Sequence, residues 1–143
     1  MILIGPHYRK SGQEPAVGEV RAMEFIRASF DPALHLQGFA TAEFYSRHAY
    51  RMVVSCDRWE VYVFGDDLEP VAVAHYTDSH DIHHGVVAVP VTVLTKHEYR
   101  GCLEVSRLLS SGIKQAVELL GCSLYYTMKH ISPTVQQHRL RKL

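Results

Sequence analysis

From Pro15 onward apolar side chains recur at steps of three and four: Val17, Val20, Met23, Ile26 and Phe30, with Glu19, Arg21, Glu24 and Arg27 between them. That spacing predicts an amphipathic helix, which Asp31-Pro32 ends. Residues 34–51 carry Gly38, Phe39, Ala42, Phe44, Tyr45, His48 and Ala49, a pattern that suits a second, less regular helix. The period then changes. Residues 59–64 are β-branched and aromatic, Gly65-Asp66-Asp67 supplies a turn, and residues 71–76 resume the pattern, so two antiparallel strands follow. A polar tip over residues 77–85 leads into residues 86–94, whose nearly continuous apolar run predicts a central strand buried on both faces. Pro90 lies inside that run and cannot donate to a ladder, which predicts a bulge or a local splaying of neighbours.

The strongest periodicity comes next. After Tyr99-Arg100-Gly101, the positions Val105, Leu108, Leu109, Ile113, Ala116, Val117 and Leu120 make one apolar stripe, and Gly121 is placed to stop the helix. Residues 122–128 read as a strand, parallel to residues 86–94 because a helical crossover joins the two. Ser132-Pro133 has the form of a helix start, and the pattern predicts a last helix over residues 135–143. Residues 1–8 are expected to form a short strand closed by Gly5-Pro6.

Composition narrows the class without changing this order. A chain of 143 residues with 47% hydrophobic and 21% charged side chains is expected to fold as one α/β domain. Fifteen basic and fifteen acidic side chains cancel, so no global field draws nucleic acid or an anionic membrane, and any basic site must be local. No apolar run reaches the length of a membrane helix, and a cytosolic protein is expected. Cys56, Cys102 and Cys122 have no CxxC spacing and are expected as reduced thiols.

The order of three meandering strands, a strand-to-helix turn, a parallel strand and a helix resembles the GNAT (GCN5-related N-acetyltransferase) fold, over roughly residues 15–143. The clearest local pattern is Val-Thr-Val-Leu-Thr-Lys-His-Glu-Tyr-Arg-Gly, ending at Gly101 and followed by the amphipathic helix. The resemblance implies an acyl-CoA-dependent acyltransferase using acetyl-CoA or another acyl-CoA. Val91 and Val93 would flank the thioester arm, and Arg100, Gly101, Cys102, Leu103 and Val105 would surround the diphosphate. An amine acceptor, small molecule or protein, would attack the thioester directly. The general physics agrees, because the unpaired amides at a helix N-terminus, at the positive end of its dipole, make an anion site.

Three departures bear on that implication. Leu103 and Val105 stand where the motif uses small residues, and they are expected to crowd a phosphate. Leu140 stands where the family often places the tyrosine that protonates the leaving thiolate, so His138, or Tyr125 or Tyr126, is the candidate substitute, while the loop before residue 86 would border the acceptor pocket and offer His84 or His83 as a base. The resemblance also ends without the family's final hairpin, which would leave residues 122–128 as an open sheet edge to be covered by a partner chain, a second copy or a swapped strand from residues 1–8. These departures equally suit a catalytically silent GNAT-like assembly protein, such as a tailed-phage virion component. Glu104-Val105-Ser106-Arg107 is similar to the Glu-x-Ser-Arg signature of acyl-homoserine-lactone synthases, a third reading within the same fold.

His80, Asp81, His83 and His84 are ligand-type residues at close spacing, yet a polar turn explains them better than a metal site does. Arg139, Arg141 and Lys142 fall at the end of the predicted last helix, where cations are expected anyway.

Overall fold

The computed structural model describes residues 1–35 and 38–143. Its centre is a six-stranded mixed sheet in chain order: β1 (Ile2–Arg9), β2 (Arg58–Phe64), β3 (Pro70–Asp81), β4 (Gly85–Thr95), β5 (Leu124–Ser132) and β6 (Val135–Lys142). Strands β1 to β4 are antiparallel neighbours, β4 and β5 are parallel, and β5 and β6 form an antiparallel hairpin. Helices α1 (Glu19–Ala28), α2 (Pro32–His35) and α3 (Ala42–Val54) precede β2, and α4 (Leu103–Leu119) makes the crossover from β4 to β5. The mixed α/β sheet and the strand order from β2 to β5 are those the sequence predicts.

Alternation along the strands creates two cores. On one face Val61, Val63, Ala72, Ala74, Tyr76 and Ala88 meet Val105, Leu109, Ile113, Ala116 and Val117 of α4. On the other, Tyr62 and Val73 meet Phe25, while Ile26, Tyr45 and Ala49 join α1 to α3. Each fully buried aliphatic or aromatic side chain contributes on the order of 1.5–3 kcal/mol relative to exposure. The stripe predicted for α4 is the stripe observed, and Gly121, at φ 75°, follows its end. In α1 the phase differs: Ala22, Phe25 and Ile26 are buried while Val20 is 70% exposed, because the helix begins only at Glu19 and the sheet beneath it selects the aromatic face.

Four elements depart from expectation. The first strand is not closed by Gly5-Pro6: β1 continues to Arg9, and the pair falls at a register shift between Ile4 and His7. The predicted second helix is two helices, α2 and α3, and residues 36 and 37 within its span lie outside the described residues. The predicted polar tip is shorter than residues 77–85, since β3 and β4 stay paired out to Asp81↔Gly85. The predicted last helix is a strand: Ser132 pairs with Val135 across Pro133-Thr134, and Arg139, Leu140 and Arg141 lie opposite Thr127, Tyr126 and Tyr125. Residues 135–143 carry no apolar stripe at helical spacing, and Ser-Pro opens a tight turn as readily as a helix. The hairpin satisfies the backbone edge of β5, so no partner chain or swapped strand is required there. Among the described residues no helix is long and apolar enough to cross a membrane.

A buried polar network ties the segment before α1 to the sheet. Arg58 and Glu60, both 0% exposed, pair at 2.8 Å. Tyr62 Oη donates to Glu60 Oε1 at 2.8 Å, and the Ala16 amide donates to the same oxygen at 2.7 Å. Arg58 also reaches the carbonyls of Lys10, Gln13 and Cys56. His75 Nε2 lies 3.7 Å from Glu60 Oε2, and its Nδ1 shares a 2.6 Å hydrogen bond with Thr92 Oγ1. Burial pulls the His75 imidazole down to about 4, a shift that Glu60 opposes.

Two stability predictions follow from this packing. A Cβ at Gly112, midway along α4, would come within 2.8 Å of Leu3 Cδ1 and closer still to Val61 Cγ1. Alanine ordinarily favours a helix over glycine by about 1 kcal/mol, but here overpacking by about 1–3 kcal/mol wins. Urea denaturation of Gly112→Ala will show lower stability than the parent chain. The second concerns His75, which binds its proton more weakly folded than unfolded. Stability is therefore lost as pH falls from about 6.5 towards 4, by about 3 kcal/mol for this group. In His75→Gln the fall in unfolding free energy between pH 7 and pH 4.5 will be shallower; an unchanged slope would contradict the assignment.

Candidate functional site

The ladder between β4 and β5 consists of one Cα pairing, Ala88↔Tyr125. Among the described residues no further pairing joins these two strands. The cause lies in β4, where Tyr76 opposes Pro90 but His75 opposes Thr92, so Val91 is the extra residue of a bulge. Pro90 offers no amide to a neighbour, and the bulge turns the strand away from β5. Residues 89–95 remain half-buried, although they belong to a strand inside the sheet. Val91 is thus the bulged residue of β4, and Val93 packs against the α4-side core; both are half-buried.

Two tyrosines hold the closed end. Tyr76, 1% exposed, donates from Oη to the Tyr126 carbonyl at 2.8 Å, bridging from β3 beneath β4 to β5. Tyr126 in turn donates to Asp81 Oδ2 at 3.0 Å, a bond that raises its hydroxyl above the usual range. Asp81 also accepts the amides of His83 and His84, at 2.8 and 3.0 Å, and these contacts hold its carboxyl low. The hairpin tip is therefore an aspartate-centred turn. Among the described residues no three His, Cys, Asp or Glu side chains cluster as metal ligands.

The open end meets the start of α4. A short 3-10 turn, His97–Tyr99, leads through Arg100 to Gly101 at φ 82° and Cys102, whose side chain does not cap the helix. Cys102 N donates to Tyr99 O at 3.1 Å, and the first intrahelical bond is Ser106 N to Cys102 O. Among the described residues the amides of Leu103, Glu104 and Val105 have no acceptor within the chain. Leu103 is 70% exposed at this terminus, and Val105 is buried beneath the helix. Glu104, Ser106 and Arg107, the short signature on this helix, are all exposed.

Arg100 is already engaged. Its Nη1 lies 2.6 Å from Asp31 Oδ2, and its Nε donates to the Thr95 carbonyl at 3.4 Å. The guanidinium holds the Asp31 carboxyl below its usual range. Asp31 belongs to a group that sequence reasoning missed. Its amide donates to His35 Nδ1 at 2.9 Å, and the His35 ring stacks on Tyr45 with centroids 4.2 Å apart. Burial lowers the His35 pKa; Asp31 opposes the shift, while His130 of β5 and Arg100 add to it. Burial also pushes the Tyr45 hydroxyl up to about 12. Asp31-Pro32 is itself a start signal, an N-cap followed by proline at the first turn, and it marks α2 as well as the end of α1.

His84, Tyr125 and His138 are not brought together. His84 stands at the β3–β4 tip, beyond the closed end of the cleft and about 33 Å along β4 from Thr95. Tyr125 is 4% exposed and packed in the α4-side core, at the pairing that closes the cleft. His138 is on β6 opposite Met128, its ring 6.5 Å from that of Tyr126. It shares with Tyr126 and His130 the sheet face away from α4, the face on which α1 and α3 also lie. Chemically, the site combines loose β-strand backbone, a trio of free amides, one guanidinium and a neutral imidazole. Such a set suits an elongated ligand carrying amides at one end and an anion at the other.

No protein-family model matches the chain, and no curated protein matches it. Among solved structures it is similar to the crystal structure of the NatC complex bound to Gag peptide and CoA, with 10% sequence identity and a TM-score of 0.47. The likeness covers 92% of this chain and 76% of that one. No residue correspondence follows at such identity.

Because the Asp31 amide donates to His35 Nδ1, the neutral ring carries its proton on Nε2. Long-range 1H–15N correlation spectra at pH 7 will show Nδ1 unprotonated and His35 titrating below the usual imidazole range. A doubly protonated ring at that pH would refute this geometry.

Proposed function

We propose that the chain binds an acyl-CoA in the β4–β5 cleft and transfers its acyl group to an amine. One observation carries the proposal: a parallel ladder that stops after a single pair, beside a helix whose first amides are free. The bulged segment around Val91 and Val93 has backbone groups suited to the amides of the pantetheine arm. The amides of Leu103, Glu104 and Val105 suit the diphosphate, with Arg100 released from Asp31 to join them.

The thioester supplies a reactive carbonyl and a thiolate leaving group. A β4 backbone amide polarises that carbonyl, as donors aimed at developing negative charge do in acyl transfer. The amine enters from the face bearing His35, His130 and His138. Nitrogen attacks the carbonyl carbon, the carbon–sulfur bond breaks, the amine loses a proton and the thiolate gains one. His138 is suited to take the amine proton through solvent, and His35 presents Nε2–H towards the same side. His84 and Tyr125 have no part in this scheme.

One observation favours the alternative of a catalytically silent GNAT-like assembly protein: the Asp31 carboxylate already occupies the arginine fork that an anion would use.

Calorimetry separates the two. Acetyl-CoA will bind with micromolar affinity, Arg100→Glu will weaken binding at least tenfold (about 1.4 kcal/mol), and Asp31→Asn will tighten it by freeing the guanidinium. Absence of heat at millimolar acetyl-CoA would sink the enzymatic reading and leave the assembly role.

A further inference from the structure

On the α4 side of the sheet, the helix and the β5–β6 hairpin wall a second concavity, a groove of about 820 Å³. The two-residue period of the strands decides what faces it. Tyr125, Thr127 and Lys129 of β5 lie opposite Arg141, Arg139 and Gln137 of β6, and all six line the groove. Lys114 faces them from α4, and Lys142 stands at the end of the hairpin. The lining therefore includes five of the fifteen cations in the chain, four of them (Lys114, Lys129, Arg139 and Arg141) facing the groove and Lys142, opposite Leu124, on the other face of the hairpin at its rim, and it contains no aspartate or glutamate. Among the described residues none of the five makes an ion pair; Arg141 Nε donates to Thr127 Oγ1 at 2.9 Å, a neutral acceptor. A chain of zero formal charge has concentrated an unneutralised positive field in one concave place.

Edge protection explains part of this. Charged side chains on a terminal strand discourage edge-to-edge pairing, and β6 is terminal. That reason does not reach Lys129, on the inner strand of the hairpin, or Lys114, on the helix. Converging like charges are unfavourable when the groove is empty, and an anion lying between them removes the repulsion.

We propose that this groove docks an extended acidic polypeptide segment. Same-face residues along β6 repeat every ~6.8 Å, which is also the repeat of alternate side chains in an extended peptide. Among the described residues the outer edge of β6 is unpaired, so an incoming strand gains main-chain hydrogen bonds while its alternate carboxylates face Arg139 and Arg141, with Lys114 and Lys129 across the groove. Single-stranded nucleic acid is disfavoured because its bases need aromatic faces to stack on. The one aromatic side chain in the lining, Tyr125, is 4% exposed. The groove is built from the middle of α4 and the hairpin, apart from Arg100 and the first turn, so this docking stands independently of the acyl-CoA reading.

Fluorescence anisotropy tests it with a labelled peptide of alternating Glu and Ala, the matching Gln-Ala peptide, and an oligothymidine of equal charge, all in about 0.15 M salt. The full chain will bind the Glu peptide in preference to both others, and Lys114→Glu and Arg139→Glu will each weaken it tenfold or more. Gln136→Glu, on the opposite face of β6, will change it less than twofold, and Arg100→Glu will leave it intact. Thermal melts establish that each variant is folded. No binding of the Glu peptide, tighter binding of oligothymidine, or equal losses from Gln136→Glu and Arg139→Glu would each overturn the proposal.

Discussion

The break in the β4–β5 ladder after Ala88↔Tyr125 governs the rest of the candidate site. A sheet that stayed paired would leave no room between these strands and no loose backbone. Here a proline and a bulge remove the means of pairing on one side, and Tyr76 takes the Tyr126 carbonyl that a neighbouring amide would otherwise satisfy. Buried backbone groups seldom stay unpaired. The splay is therefore a supported feature: tyrosines from β3 and β5 fix where it starts, and the α4 crossover fixes where it ends.

What stands over the open end depends on a second constraint. Glu60 is completely buried among three donors from two chain segments, Ala16 before α1 and Arg58 and Tyr62 of β2. A buried ion pair adds little net stability when compared with an apolar replacement, but breaking one leaves a charge stranded at a cost of about 3–5 kcal/mol. Its consequence here is positional. It clamps the segment leading to α1 against β2, α1 then packs Phe25 and Ile26 onto the sheet, and the chain leaving α1 delivers Asp31 and His35 to Arg100. The electrostatics of the cleft mouth are thus set from the opposite end of the N-terminal helix.

Much of this was legible in the sequence, for identifiable reasons. The α4 stripe has both a strong period and a stop glycine, and Pro90 has only a few structural explanations inside an apolar run. The last element was misread because Ser132-Pro133 is ambiguous: the same pair caps a helix or turns a hairpin, and the choice is made by the bare edge of β5, which local pattern does not contain. His84 and Tyr125 looked available because residue type does not reveal distance or burial; one sits at a remote tip and the other in the core. The Asp31–His35–Tyr45 group went unseen because its contacts span two helices and the turn before α4, although Asp-Pro was a usable signal for α2.

The same misreading concealed the charge pattern. Arg139, Arg141 and Lys142 have an adequate explanation at a helix C-terminus, where they offset the dipole. On a strand that explanation lapses, and the side chains gain a direction: alternate positions turn one arginine pair towards α4, where Lys114 already points. Net charge is a sum and has no geometry. Folding separates it, placing Asp31 against Arg100 while leaving the hairpin groove, among the described residues, without an acidic side chain in its lining. Helix α4 joins the two regions, since its first turn offers amides to the cleft, its apolar stripe seals the sheet, and its polar flank completes the basic groove.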